Sequence, residues 1–271
     1  MKTDFKFIKS ESFRKWVVLA RRRAKRPDIA RGKEPICPFC SGREALTPKE
    51  VYRKGQGKEN MPGWQIRVVP NKYPFAPVHE LIIHSPAHKD DFFTYKTNLI
   101  ADIFRVFKER YCYWEKEGQV LILHNSGIEA GESLPHSHSQ LVVIPNNIPL
   151  DSPKAINPEN TIHESGFFAI FAPKASSWPY EVWFLPRQRG NYFGEIDNAE
   201  INDLASIFSK TLLKLKKTQG KDFPFNFYIY PGKDWYLRLI PRLKVPGGFE
   251  LGSGIFVNTQ APEETARELA W

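Results

Sequence analysis

The chain runs through the same order of elements twice, and this repetition constrains its fold more than any other feature. In the first half an apolar strand pattern over Trp64–Val69 is followed by a proline-punctuated turn, Pro70–Pro77, and a second strand, His79–His84. A helical stripe of Leu99, Ile100, Ile103, Val106, Phe107, Tyr111 and Trp114 comes next, then strands over Gln119–Leu123 and Gln140–Ile144. In the second half Phe167–Phe171, the turn Pro173–Pro179 and Tyr180–Leu185 come in the same order. They precede a helix whose stripe is Leu204, Ile207, Phe208, Leu212 and Leu215, and strands at Asn226–Tyr230 and Trp235–Ile240. Apolar residues at a 3.6-residue period mark one buried helix face, and short β-rich runs mark strands. One helix per several strands does not suit a parallel βαβ array. It suits two α+β units, each an antiparallel meander with a packed helix, related by duplication. The units are expected over residues 1–150 and 151–271. Asp197 followed by Glu200 is a capping-box signal for the second helix. A shorter strand is expected at Trp16–Ala20, with Pro27 ending the basic segment after it.

The chemistry concentrates between the last two strands of the first half. A polar, glycine-containing loop, His124 to Leu134, leads into Pro135-His136-Ser137-His138-Ser139-Gln140 and an apolar run. Successive strand side chains point to opposite faces, so His136, His138 and Gln140 share one face and Ser137 and Ser139 the other. Two imidazoles and an amide beside a glycine loop make a site for phosphate chemistry. In the second half Trp235-Tyr236-Leu237-Arg238 stands where the first has His136-Ser137-His138-Ser139, so histidine chemistry is confined to the first half.

A second cluster lies upstream. Cys37-Pro38-Phe39-Cys40 brings two sulfurs to one side of a tight turn. Such a knuckle serves zinc, which takes four ligands in a structural site, or a thioredoxin-like redox pair. The proline-rich surroundings do not resemble the strand-to-helix junction that the redox motif needs. No second C-x-x-C exists, so the remaining zinc ligands must be His or carboxylate. Cys112 stands alone in the helical pattern and is expected in the core. Three cysteines make no disulfide framework.

The formal net charge of +9 suits nucleic acid or phosphorylated small molecules. The charge is scattered. Lys214–Lys217 falls on an exposed helix face, and Arg23 and Arg26 read either as phosphate anchors or as a solvated loop. A basic zinc-knuckle protein binding nucleic acid is the alternative from another class. One knuckle with dispersed basic residues does not make a recognition module. No apolar run is long enough to span a bilayer, and Met1–Lys6 carries charges where a signal peptide needs an apolar stretch. A cytoplasmic location is expected.

Taken together, Cys37–Cys40, Ser85-Pro86-Ala87-His88, Asn125–Gln140, Arg23–Pro27 and the tail Phe249–Gln260 resemble the galactose-1-phosphate uridylyltransferase family of the histidine-triad superfamily. The resemblance covers nearly the whole chain and implies two histidine-triad-like units, the second degenerate. It implies that His138 is the nucleophile, forming a covalent nucleotidyl-histidine. Gln140 would hydrogen-bond the transferred phosphoryl group, and Asn125, Gly131 and Ser133 would hold phosphates. Arg23 and Arg26 would flank the diphosphate, with Asn71 at the nucleoside. Cys37, Cys40, His88 and His136 would bind zinc, and Phe249 and Gln260 would contact a hexose across a homodimer interface. The implied substrates are a nucleotide sugar and a sugar 1-phosphate, with neither nucleic acid nor membrane as partner. The expected reaction converts UDP-glucose and galactose 1-phosphate to glucose 1-phosphate and UDP-galactose. An ADP-glucose:phosphate adenylyltransferase is the alternative. The motif departs from the familiar His-Pro-His-Gly-Gln, and the tail lacks the tyrosine–glutamate pair found near the hexose in familiar members.

Overall fold

The computed structural model describes residues 5–12, 15–26, 36–151, 153 and 156–271. The charged start at Met1–Asp4 and the expected breaker Pro27 lie outside the described residues. Strands β1 (Phe5–Lys9) and β2 (Trp16–Ala20) form a separate antiparallel hairpin. The body is one ten-stranded sheet. Its first-half strands are β3 (Tyr52–Gly55), β4 (Trp64–Pro70), β5 (Val78–Ile83), β6 (Gln119–Ser126) and β7 (His138–Ile144). Its second-half strands are β8 (Thr161–Glu164), β9 (Phe168–Phe171), β10 (Val182–Pro186), β11 (Phe225–Ile229) and β12 (Leu237–Pro241). Helix α1 (Thr97–Trp114) lies between β5 and β6, and α2 (Asn198–Gln219) between β10 and β11. Two short helices, α3 (Gly248–Ser253) and α4 (Pro262–Leu269), close the chain.

The strand order, β3-β4-β5-β7-β6-β11-β12-β10-β9-β8, reads alike from both ends once β8 to β12 are matched to β3 to β7. Every strand pairing among the described residues is antiparallel, and the halves join where β6 meets β11, with His124 opposite Phe227. Both helices pack on one face. Ile66, Val68, Ile82, Ile122, Leu141 and Val143 of the first half share a core there with Phe184, Phe208, Phe227, Leu237 and Leu239 of the second. Each fully buried side chain of this size contributes roughly 1.5–3 kcal/mol, and this face supplies most of the buried apolar area. The Glu80 carboxylate accepts from Arg110 Nε and Nη2 at 2.9 and 2.6 Å and from Trp114 Nε1 at 2.9 Å, which ties α1 to β5. The Asp197 carboxylate caps α2 by accepting the Glu200 N–H, and Glu200 returns the bond, both at 2.8 Å. The left-handed Gly220 (φ +70°) ends the same helix, a conformation that costs glycine nothing.

Two sequence expectations need correction. Cys112 is exposed, because it lies about 100° around α1 from the buried Tyr111 and outside the stripe. The match between His136–Ser139 and Trp235–Arg238 is shifted by one residue. In β12 it is Leu237 and Leu239 that enter the helix-side core, as Leu141 and Val143 do in β7. His138 therefore has an even-numbered counterpart, Tyr236 or Arg238, on the opposite face, because pleating preserves parity. Strands β1, β3 and β8 and helices α3 and α4 are short and carry too few apolar residues to be read beforehand.

Candidate active site and metal centre

The face of the sheet away from the helices carries the site. A small second core of Cys37, Phe39, Trp64, Val69, Leu81, Ile83 and Leu134 covers its first half. Beside it opens a cavity of about 280 Å³, lined mainly by apolar groups and reached by Arg26, Asn71, Ser133, His138 and Gln140. Of the residues expected at the substrate, these five meet at the cavity. Arg23, Asn125, Gly131, Phe249 and Gln260 do not line it.

His138 opens β7, and its ring is fixed from behind. Nδ1 lies 2.9 Å from the His136 carbonyl and donates to it, so the lone pair resides on Nε2. Burial, with the opposing bond to His136 and the nearby His136 and Arg26 charges, brings the His138 pKa down to about 4. The imidazole is therefore neutral near pH 7, the form that attacks phosphorus. The Phe39 ring meets both imidazoles edge-on, at 5.1 Å from His138 and 6.1 Å from His136.

Gln140 lies two residues on along the same face. Its Oε1 is 2.9 Å from His79 Nε2. Asn71 approaches the same ring nitrogen at 3.0 Å while its Oδ1 accepts the Tyr73 N–H at 2.8 Å. Arg23 donates to the Tyr73 carbonyl at 2.9 Å and stacks over Phe75 at 4.6 Å. Phe75 in turn packs on the His79 ring at 4.4 Å. Arg23 thus braces the cavity wall. Burial and the Arg26 charge lower its pKa to about 10, so it remains a cation at neutral pH. Sequence reasoning did not single out His79. The signal available was its parity with Leu81 and Ile83 on β5.

The glycine loop is built on close approach. At Gly127 (φ +87°) an added Cβ would lie 2.6 Å from Pro224 Cβ, so only glycine fits. Asn125 accepts from Asn226 Nδ2 at 2.8 Å, and Asn226 also donates to the Ala130 carbonyl at 2.8 Å, which fastens the loop to β11. Gly131 takes the left-handed turn (φ +81°) that presents Glu132 and Ser133.

Cys37, Cys40, His88 and His136 converge, with all four candidate ligand atoms within 4.8 Å of one another. Sulfur-to-Nδ1 separations are 3.6 Å for Cys37–His136, 3.3 Å for Cys40–His88 and 3.7 Å for Cys40–His136. A tetrahedral ion with bonds of about 2.3 Å to sulfur and 2.05 Å to nitrogen sets that separation near ~3.6 Å. His136 Nε2 donates to the Ser85 carbonyl at 2.8 Å, which leaves Nδ1 as the ligand atom and is the expected outer-shell arrangement. Burial would push the Cys37 thiol up to about 11, and a cation in the cluster reverses that by favouring the thiolate. The donor set fits a structural zinc ion. Bound there, zinc would cross-link chain segments, since four protein ligands leave no position for water.

A neutral imidazole with its lone pair on Nε2 beside this cavity, on a strand next to a Cys2His2 cluster that could hold a metal, is the arrangement of a nucleotidyltransferase site on a duplicated sheet. In sequence and in fold the chain is similar to the galactose-1-phosphate uridylyltransferase family of the histidine-triad superfamily. No family model matches it. It is 28% identical to an ADP-glucose phosphorylase of Arabidopsis thaliana, over 93% of this chain and 89% of the relative. It is 22% identical to a galactose-1-phosphate uridylyltransferase of Thermotoga maritima, over 94% of each chain. The crystal structure of an Arabidopsis thaliana ADP-glucose phosphorylase with bound ADP-glucose superposes with a TM-score of 0.75 at 25% identity, covering 98% of both chains. Among the described residues no helix is long and apolar enough to cross a membrane.

Proposed function

We propose that the chain transfers a nucleoside monophosphate from a nucleotide sugar to a phosphate acceptor through a covalent adduct on His138 Nε2. The observation that carries this reading is the His138 ring, held by Nδ1 against the His136 carbonyl at 2.9 Å and lining the cavity. In the first displacement the Nε2 lone pair attacks the α-phosphorus. The bond to the bridging oxygen breaks, and the sugar 1-phosphate leaves with that oxygen. In the second, an acceptor phosphate oxygen attacks the same phosphorus, and the P–N bond breaks to return the neutral imidazole. Arg26, the Gln140 amide and Ser133 meet the charge on the phosphoryl oxygens. Gln140 is not a third histidine and adds no acid or base, which favours transfer over hydrolysis.

The donor we assign is ADP-glucose and the acceptor inorganic phosphate, with ADP and glucose 1-phosphate as products. The greater identity to the ADP-glucose phosphorylase supports this, 28% against 22%, as does the tail without its tyrosine–glutamate pair. A second reading is UDP-glucose with galactose 1-phosphate. It draws on the 94% coverage of the uridylyltransferase and this chain by one another. Phe249 and Gln260 would then serve the hexose of a partner protomer in a homodimer. A panel of ADP-glucose and UDP-glucose against phosphate and galactose 1-phosphate separates the readings, with mass spectrometry of the trapped enzyme. We expect an adenylyl adduct and turnover with phosphate. His138→Ala should form no adduct while keeping its metal, and labelling of that variant would remove His138 from the nucleophile's role.

A further inference from the structure

We propose that His79 is a positioning residue for the transfer, holding the Gln140 amide so that its NH₂ group faces the phosphoryl oxygens at His138. The inference rests on the roles given to His138 and Gln140 above. His79 lies on β5 beside β7, with its backbone opposite Val142. Its Nε2 is 2.9 Å from Gln140 Oε1, and its Nδ1 is buried with no hydrogen-bond partner among the described residues. A neutral imidazole carries one proton. On Nδ1 that proton would be a buried donor without an acceptor, which is costly. On Nε2 it bonds to Gln140 and a lone pair goes unused on Nδ1. The Asn71 Nδ2 donor 3.0 Å from the same Nε2 then forgoes that bond. Asn71 is only half-buried and lines the cavity, so its N–H groups have another outlet, whereas Nδ1 is sealed. The proton is therefore on Nε2, and Oε1 is the oxygen turned toward His79.

That choice fixes the other end of the amide. With Oε1 occupied, both Gln140 N–H groups are directed away from His79, toward the cavity that His138 lines. A free glutamine could instead turn its oxygen toward the phosphate and repel it. The ring itself cannot swing. Phe75 packs on it at 4.4 Å, Arg23 covers Phe75 at 4.6 Å, and the Asn71 amide crowds the Nε2 edge at 3.0 Å. Burial, with the Arg23, His138 and Arg26 charges and against the bond to Gln140, takes the His79 pKa down to about 3. It therefore remains a neutral donor across the working pH range. Donors aimed in advance at developing phosphoryl charge need no reorganisation during reaction.

Two measurements test this. Nitrogen-15 spectra of the wild-type histidine rings, assigned against His79→Phe, should show the His79 proton on Nε2 from pH 6 to 8. A proton on Nδ1 would overturn the proposal whatever the substrate. Rapid-quench kinetics, normalised to active sites titrated by adduct formation, form the second arm. His79→Phe should slow both formation and discharge of the adduct by about 100-fold, the loss typical of one misdirected oxyanion donor, with KM little changed. His79→Gln, which keeps an N–H donor, should recover part of that rate. Combined with Gln140→Ala, His79→Phe should add nothing further. Full additivity in that cycle, or a drop in melting temperature with the rate per active site intact, would reduce His79 to a packing residue. Wild-type enzyme that forms no adduct with either nucleotide sugar would instead sink the functional reading, and the transfer role of His79 with it.

Discussion

Ser139 follows His138 and points the opposite way, into the helix-side core. Its Oγ is 2.9 Å from His84 Nε2 and 3.3 Å from His124 Nδ1, while Ser137 Oγ is 3.0 Å from His84 Nδ1. His124 also donates to the His138 carbonyl at 3.0 Å. Burial keeps His84 well below its ordinary pKa and brings His124 down to about 3, so both are neutral. Ser139→Ala would leave His84 Nε2 without a partner in a closed apolar environment. Its expected cost is about 1–3 kcal/mol, read as a lower urea midpoint at unchanged far-UV dichroism, and an unchanged midpoint would show the contact to be idle. Glu132 titrates in the opposite sense to these histidines. Burial, with some help from the Asp91 charge and against its bond from the Gly127 N–H, raises its carboxyl to about 7. A folded pKa above the unfolded one means the native state binds more protons between them. The contribution is fully present below about 4.5 and is lost as pH rises through about 7. Glu132→Gln should therefore match wild type in melting temperature near pH 4.5 and exceed it at pH 8. The reverse trend would contradict the raised pKa.

Three separate pieces of chain meet at the candidate metal site: the Cys37–Cys40 knuckle, the segment between β5 and α1 that carries His88, and the lead-in to β7 that carries His136. The His136 ring faces the cluster while its carbonyl holds the His138 ring. Stripping the metal with a chelator should therefore lower the melting temperature and slow adduct formation together, and zinc should restore both. A stripped protein of wild-type stability and activity would show the cluster to be ornamental. Helices α1 and α2, with their long amphipathic stripes and the Asp197–Glu200 cap, were legible in the sequence, as were the inner strands with continuous apolar runs. The short β3 and β8 were not, since edge strands need few apolar residues. The alternation of His138 and Gln140 was readable from pleating alone. The partnership of His79 with Gln140 was not, because it joins neighbouring strands 61 positions apart, and a register shift of one would abolish it. That same sensitivity explains the one-residue slip between the halves: only the burial of Leu237 and Leu239 in the helix-side core fixes the parity of β12.

At the scale of the whole molecule, one sheet and one helix-side core run through both halves without interruption. Phe92 touches Phe208 and Phe227 at 5.4 and 5.5 Å, and His124 stacks on Phe227 at 5.1 Å. The second half has lost histidine chemistry on the face where Tyr236 stacks between Trp183 and Tyr230, at 4.4 and 5.1 Å. It still roofs the helix side of β6, the neighbour of β7, and fastens the glycine loop through Asn226. The mirror order of the strands has a practical corollary. A gene cut between the codons for Ile144 and Thr161 would yield two fragments, each with a raw hydrogen-bonding border at β6 or β11 and a naked greasy flank. Made separately they should precipitate. Made in one cell they should find each other along that border and recover activity, as two torn pages align along a single rip.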